Sequence, residues 1–164
     1  MSLAVNVPIT SDKQTGFTLI EVLIAVIVLS IGLLGLAGLQ STGLRNSHDA
    51  YVRTLAATLA NDMADRIRAN MAGFNAGHYD NTAAYSANCE NNTGCTPQQM
   101  AQYDTFLWQQ NLGALPSGQG NVATNGALVT VTVRWDAGRA GATGLGCDPA
   151  NVADLACLRI VYQP

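Results

Sequence analysis

The sequence predicts an α+β fold, with one long N-terminal α-helix packed on an antiparallel β-sheet of three or four strands and disulfide-containing loops between them. Three observations lead there. Apolar residues run almost unbroken from Phe17 to Leu39, and from Gln40 they continue as a stripe at spacings of three and four. Apolar and polar residues then alternate around Val129 to Trp135 and again near the C-terminus, the period of half-buried strands. Four cysteines fall in two local pairs, Cys89/Cys95 and Cys147/Cys157.

The first element is the apolar run. Its 23 residues from Phe17 carry one formal charge, Glu21. At about 1.5 Å per residue a helix of that length spans the roughly 30 Å hydrocarbon core of a bilayer. A carboxylate inside such a run costs about 2.5–3.5 kcal/mol at the bilayer centre, so it requires a partner or a task. Residues 1–16 are mostly polar, and Asp12 offsets Lys13, the only lysine. Two bland readings compete: an ordinary membrane anchor, and a secretory signal cut near Ala37 and Gly38. Neither accounts for Glu21.

The segment Lys13 to Ala25, KQTGFTLIEVLIA, resembles the class III signal of type IV pilins and related pseudopilins. The continuation IVLSIGLLGLAGLQ, Ile27 to Gln40, resembles more narrowly the minor pilins called PilV. The resemblance implies a type IV pilin-like fold. It further implies that a prepilin peptidase, also the N-methyltransferase, cuts between Gly16 and Phe17 and methylates Phe17. Glu21 would then serve assembly by neutralising the new amine of a neighbouring subunit, since either charge alone is costly where the dielectric is low. Gly32, Gly35 and Gly38 recur every three residues and would let helices approach closely in a membrane or filament core. Major pilins usually carry a kinking proline where this chain has Gly38.

Beyond Gln40 the stripe comprises Leu44, Tyr51, Val52, Leu55, Leu59, Met63, Ile67 and Met71, with Arg45, Asp49, Arg53, Asp62, Asp65, Arg66 and Arg68 mainly on other faces. Asp62 and Arg66 form an i,i+4 pair. Gly73 is the expected stop, so one helix is expected to run from Phe17 to about Asn70. The domain plan is therefore a leader at 1–16, a membrane and filament-core half-helix at 17–39, an amphipathic half-helix at 40–72, and a globular part at 73–164.

Residues 73–96 lack periodicity and read as a loop, in which His78, Tyr79 and Tyr85 either pack the loop or line a binding surface. Thr96-Pro97-Gln98-Gln99 is a capping box with proline at the first helical position, and the helix it opens runs to about Leu112 with Met100, Tyr103, Leu107 and Trp108 to one side. Leu115 to Gly118 turns the chain. Asn125-Gly126 signals a hairpin, after which Val129, Val131, Val133 and Trp135 face inward. The last strand, Cys157 to Tyr162, sets Leu158, Ile160 and Tyr162 on one face.

Two disulfides are expected of an exported domain with an even cysteine count. Three pairings are formally open, and the local ones, Cys89–Cys95 and Cys147–Cys157, close the shortest loops. No metal site is expected. The cysteine spacings lack a CxxC pair, both histidines lie far from them, and Asp148, Asn151 and Asp154 do not have the spacing of an EF-hand loop. No cofactor is expected either. Net charge is −3 with no basic run, which argues against nucleic acid as a partner. Nucleophile-elbow, zincin and phosphate-loop motifs are absent, so the chain reads as a substrate of processing enzymes and not as an enzyme.

The resemblance implies a minor pilin of a type IV pilus, inserted in the inner membrane as a single span with its globular part in the periplasm, then incorporated in the fibre at the cell surface. Its partners would be the prepilin peptidase, other minor and major pilins, the inner-membrane assembly platform and membrane lipid. Its role would be assembly priming, and through it adhesion or twitching motility. The rivals are a type II secretion pseudopilin and a pilus-tip adhesin or binding module.

Overall fold

In a computed structural model, residues 16–80, 85, 89–90 and 94–164 are described, and the element order is helix–helix–helix–strand–strand–strand. Contacts divide the chain into two units, Met1–Leu44 and Arg45–Pro164. Helix α1, Leu19–Ala69, is helical without a break through Gly32, Gly35, Gly38 and Gly43. Its start is capped: the Glu21 N–H donates to the Thr18 carbonyl at 3.1 Å and to Thr18 Oγ1 at 3.4 Å. Every residue from 16 to 51 is exposed.

Burial begins at Val52, so Leu44 and Tyr51 lie outside the core although their spacing continues the stripe. The buried face is Val52, Ala56, Leu59, Ala60, Met63, Ala64 and Ile67. Three alanines make much of it, and side chains from later in the chain reach the helix backbone there: the Trp108 indole N–H donates to the Leu59 carbonyl and the Tyr162 hydroxyl to the Ala64 carbonyl.

Gly73 does not end the helix. The chain leaves helical geometry at Asn70 (φ −116°, ψ 55°), which then caps a five-residue helix, α2, Met71–Asn75, by accepting from the Gly73 N–H at 3.2 Å. Gly73 sits inside α2 because space there is short. A Cβ on it would stand 2.4 Å from Asn70 Nδ2 and 2.9 Å from the Pro97 carbonyl oxygen. Asn70 Nδ2 also donates to that carbonyl at 2.8 Å, tying the end of α1 to the start of α3.

Helix α3, Pro97–Leu112, opens with a complete capping box between Thr96 and Gln99. Its buried face is Ala101, Asp104, Trp108 and Leu112, a row at spacings of three and four that includes a carboxylate. Of the residues expected on the inner side, Trp108 is fully buried, whereas Met100, Tyr103 and Leu107 are half-buried. The Trp108 indole N–H donates to the Leu59 carbonyl at 2.8 Å, which satisfies the one polar atom of a buried ring.

The sheet has three antiparallel strands in the order β1-β2-β3: Gln119–Asn125, Leu128–Trp135 and Ala156–Tyr162. The β1–β2 turn falls one residue later than the Asn-Gly signal suggests. Asn125 pairs with Leu128, leaving Gly126 and Ala127 as the loop. Of these only Gly126 takes positive φ, +61°, so glycine occupies the first central position, as in type II′ hairpins. Val129, Val131, Val133 and Trp135 all point into the core, with Leu158, Ile160 and Tyr162 of β3 packed partly buried beside them. The fold is α+β, as the periodicities require.

Candidate functional site

Two places in the chain carry chemistry that packing does not absorb. The first is the start of α1. Gly16, Phe17 and Thr18 precede the helix, all exposed, and Phe17 is 83% exposed. Glu21 lies in the first turn, where a carboxylate also suits the helix dipole. It makes no ion pair among the described residues. A Cβ added at Gly16, Gly32, Gly35, Gly38 or Gly43 would meet nothing within 4 Å. Each glycine within the helix costs about 1 kcal/mol relative to alanine, and no contact among the described residues offsets that. The helix has the length and apolar composition to cross a membrane.

The second is the C-terminal loop of the Arg45–Pro164 unit. After β2 the Asp136 carboxylate accepts from the Gly141 N–H at 2.8 Å and the Ala142 N–H at 3.3 Å, folding residues 137–142 around itself. Burial opposes its charge, but the amides of Gly141, Ala140, Ala142 and Arg139 outweigh that and hold the carboxyl below its usual range. The Cys147–Cys157 disulfide, with Cα atoms 5.4 Å apart, then ties the loop to β3. A groove of about 640 Å³ borders this loop, lined among others by Arg53, Trp135, Pro149, Val152 and Leu158.

Asp148, Asn151 and Asp154 occupy this loop as amide caps. Asp148 Oδ1 accepts from the Ala150 N–H, Asn151 Oδ1 from the Ala153 N–H, and Asp154 Oδ2 from the Asp148 N–H. Among the described residues no three His, Cys, Asp or Glu side chains converge on one point. The Cys89–Cys95 disulfide, Cα atoms 5.3 Å apart, closes the loop before α3.

The three ring residues of that loop separate. Tyr79 is 3% exposed, and its hydroxyl donates to Asp104 Oδ2 at 2.6 Å. Tyr85 stacks on Phe106 of α3 at 5.0 Å between centroids and lies 5.2 Å from Tyr103. His78 is half-buried. The Tyr103 hydroxyl donates to Glu90, a bond that together with the Glu90 charge pushes its pKa up to about 12. Asp104 is the residue that sequence reasoning passes over, because an acid on a helix reads as solvent-facing. Its spacing of four from Trp108, itself four from Leu112, is the signal that places it inward.

Comparison with known families bears on both halves. Residues 11–37 match the prokaryotic N-terminal methylation motif, and residues 38–106 match the Tt1218-like model, described as type IV pilin Tt1218. Over residues 38–106 the chain is therefore similar to a type IV pilin domain. No curated protein and no solved structure matches it. The two matched stretches meet at residues 37 and 38, inside helix α1. Signal motif and apolar helix together fit a membrane-anchored pilin, and the pilin family is structural in role. The motif also implies processing by a prepilin peptidase and assembly with other pilins.

Proposed function

We propose that this chain is a minor pilin of a type IV pilus, of the PilV kind. The observation that carries the reading is the first half of α1: an exposed apolar helix with glycines that face open space and one carboxylate, Glu21, in its first turn. Apolar surface left exposed on this scale is covered by something outside the chain, lipid first and then the helices of other subunits.

In this reading residues 1–16 are the leader, removed between Gly16 and Phe17, and Phe17 becomes the methylated N-terminus. Residues 17–39 span the inner membrane once, with residues 40–72 and the globular part, 73–164, on the periplasmic side. Extraction of such a helix from lipid leaves Glu21 in a low-dielectric setting, where the amine of a neighbouring Phe17 would be its natural partner. The match to a type IV pilin model supports a pilus over a secretion pseudopilus, and incorporation in small numbers would support priming of assembly, adhesion or twitching.

Two substitutions in the native cell test this. Gly16→Leu is expected to leave the chain at full length in the membrane. Glu21→Gln is expected to allow processing and membrane insertion while removing the protein from sheared fibres. Equal recovery of the Glu21→Gln chain in fibres would contradict the assembly role of Glu21.

A further inference from the structure

The two edges of the sheet are treated differently. Antiparallel ladders send the N–H and C=O of alternate residues to opposite sides. On β1 the outward groups belong to even-numbered residues: the Gly120 carbonyl accepts from Gln109 Nε2 at 2.8 Å, and the Thr124 N–H donates to Asp80 Oδ1 at 2.8 Å. The β1 edge is thus covered by α3 and by the segment after α2.

The same parity fixes the other edge. The odd residues of β1 bond to β2 through the pairs Asn121↔Thr132 and Ala123↔Thr130, so β2 turns its odd residues to β3. The bonded pairs on that side are Val131↔Ile160 and Val133↔Leu158. Outward on β3, therefore, lie the N–H and C=O groups of Cys157, Arg159 and Val161. The Leu155 N–H, two residues earlier and of the same parity, donates to the Gly144 carbonyl at 2.8 Å. Beyond that point, among the described residues, no group pairs with the edge. Of the devices that usually blunt an edge, β3 has one charge, Arg159, and no lysine, no proline and no bulge against β2.

We propose that the outer edge of β3 is a strand-addition site, taking an extended segment of a partner chain that alternates apolar and polar residues and carries a carboxylate opposite Arg159. A row of alternating N–H and C=O groups is matched along its whole length by another extended backbone about 4.8 Å away. The core-facing row of β3, Leu158, Ile160 and Tyr162, is only half-buried, so apolar side chains of the added strand would complete its cover. The groove bordering Ala156, Cys157 and Leu158 lies at the start of the same strand and has room for one such side chain. On the opposite face Arg159 is exposed and has no ion pair among the described residues, and Val161 is 57% exposed. A second copy of β3 is the poorer occupant, because the antiparallel register centred on this strand sets Arg159 against Arg159. The site belongs to the Arg45–Pro164 unit alone, so its failure would leave the membrane and processing reading untouched.

The test uses the full chain in detergent and a short peptide alternating valine and threonine around one central glutamate. Amide hydrogen exchange at Cys157, Arg159 and Val161 is expected to slow as the peptide is added. Val161→Pro removes one outward N–H, which an edge strand tolerates, and is expected to weaken binding about tenfold with the near-ultraviolet spectrum unchanged. Arg159→Asp is expected to reverse the preference, binding a lysine-bearing version of the peptide more tightly than the glutamate one. Unchanged exchange in the folded chain at saturating peptide would overturn the proposal. Protection already present without peptide, and lost in Val161→Pro, would assign the edge to a second copy of this chain and overturn the separate partner.

Discussion

The carboxylate of Asp104 is buried and has two donors, the Tyr79 hydroxyl at 2.6 Å and Arg66 Nη1 at 3.4 Å. Arg66 in turn pairs with Asp62 at 2.9 Å, so one guanidinium links two acids across α1 and α3. Tyr79→Phe would leave Asp104 short of its closer donor and is expected to cost about 1–3 kcal/mol in chemical denaturation. Burial pushes the Tyr79 hydroxyl well above its ordinary pKa, and the bond to Asp104 adds to that. Burial likewise pushes Tyr162 up to about 12, against the opposing charge of Arg68, whose guanidinium lies 4.5 Å from the ring centroid. A folded-state pKa raised above the unfolded value means stability that is complete below about pH 10 and lost as pH rises through the folded value. Denaturation midpoints are therefore expected to fall between pH 10 and about 12, where Tyr162 must ionise. Asp136 has the opposite sign. Its lowered pKa contributes stability above the unfolded value of 3.8 that declines as pH falls toward the folded one. Asp136→Asn should flatten that acid limb, measured as the urea midpoint against pH.

At the scale of elements, α1 is the instructive case. Its apolar first half is legible because length and composition suffice, and β2 is legible because valine and threonine alternate without exception from Val129 to Val133. The buried half of α1 is less so. Ala56, Ala60 and Ala64 are nearly inaccessible, yet alanine contributes little to a hydrophobic pattern, so the stripe drawn through larger residues runs out to Leu44 and Tyr51, which are exposed. What buries Ala60 is proximity to other elements, a tertiary fact that local spacing does not carry. Ala60→Leu is expected to destabilise by about 1–3 kcal/mol through overpacking, whereas Leu44→Ala should leave the thermal transition of the Arg45–Pro164 unit unchanged. The end of α1 near Asn70 is legible, because the apolar stripe runs out there. What local spacing does not carry is the short helix across Gly73 and the Asn70 side chain's bond to Pro97, 27 residues away. The hairpin slipped by one residue because Asn125 can end a strand as readily as it can begin a turn.

At the scale of the molecule, two kinds of apolar surface have to be accounted for. The Arg45–Pro164 unit buries a core of its own, around Trp108, Met63, Ile67 and the β2 valines, and its C-terminal loop is held by the Cys147–Cys157 disulfide. Replacing both cysteines by serine is expected to cost about 2–4 kcal/mol, read as a lower denaturation midpoint. The apolar residues from Phe17 to Leu39 are buried by nothing among the described residues. They make sense as a surface for lipid and then for other subunits, which is the central claim. Mass spectrometry of the protein recovered from its native membranes tests that claim most directly. The account predicts a chain whose first residue is Phe17 carrying an N-methyl group. A chain beginning at Met1, or one beginning near Leu39, would contradict it.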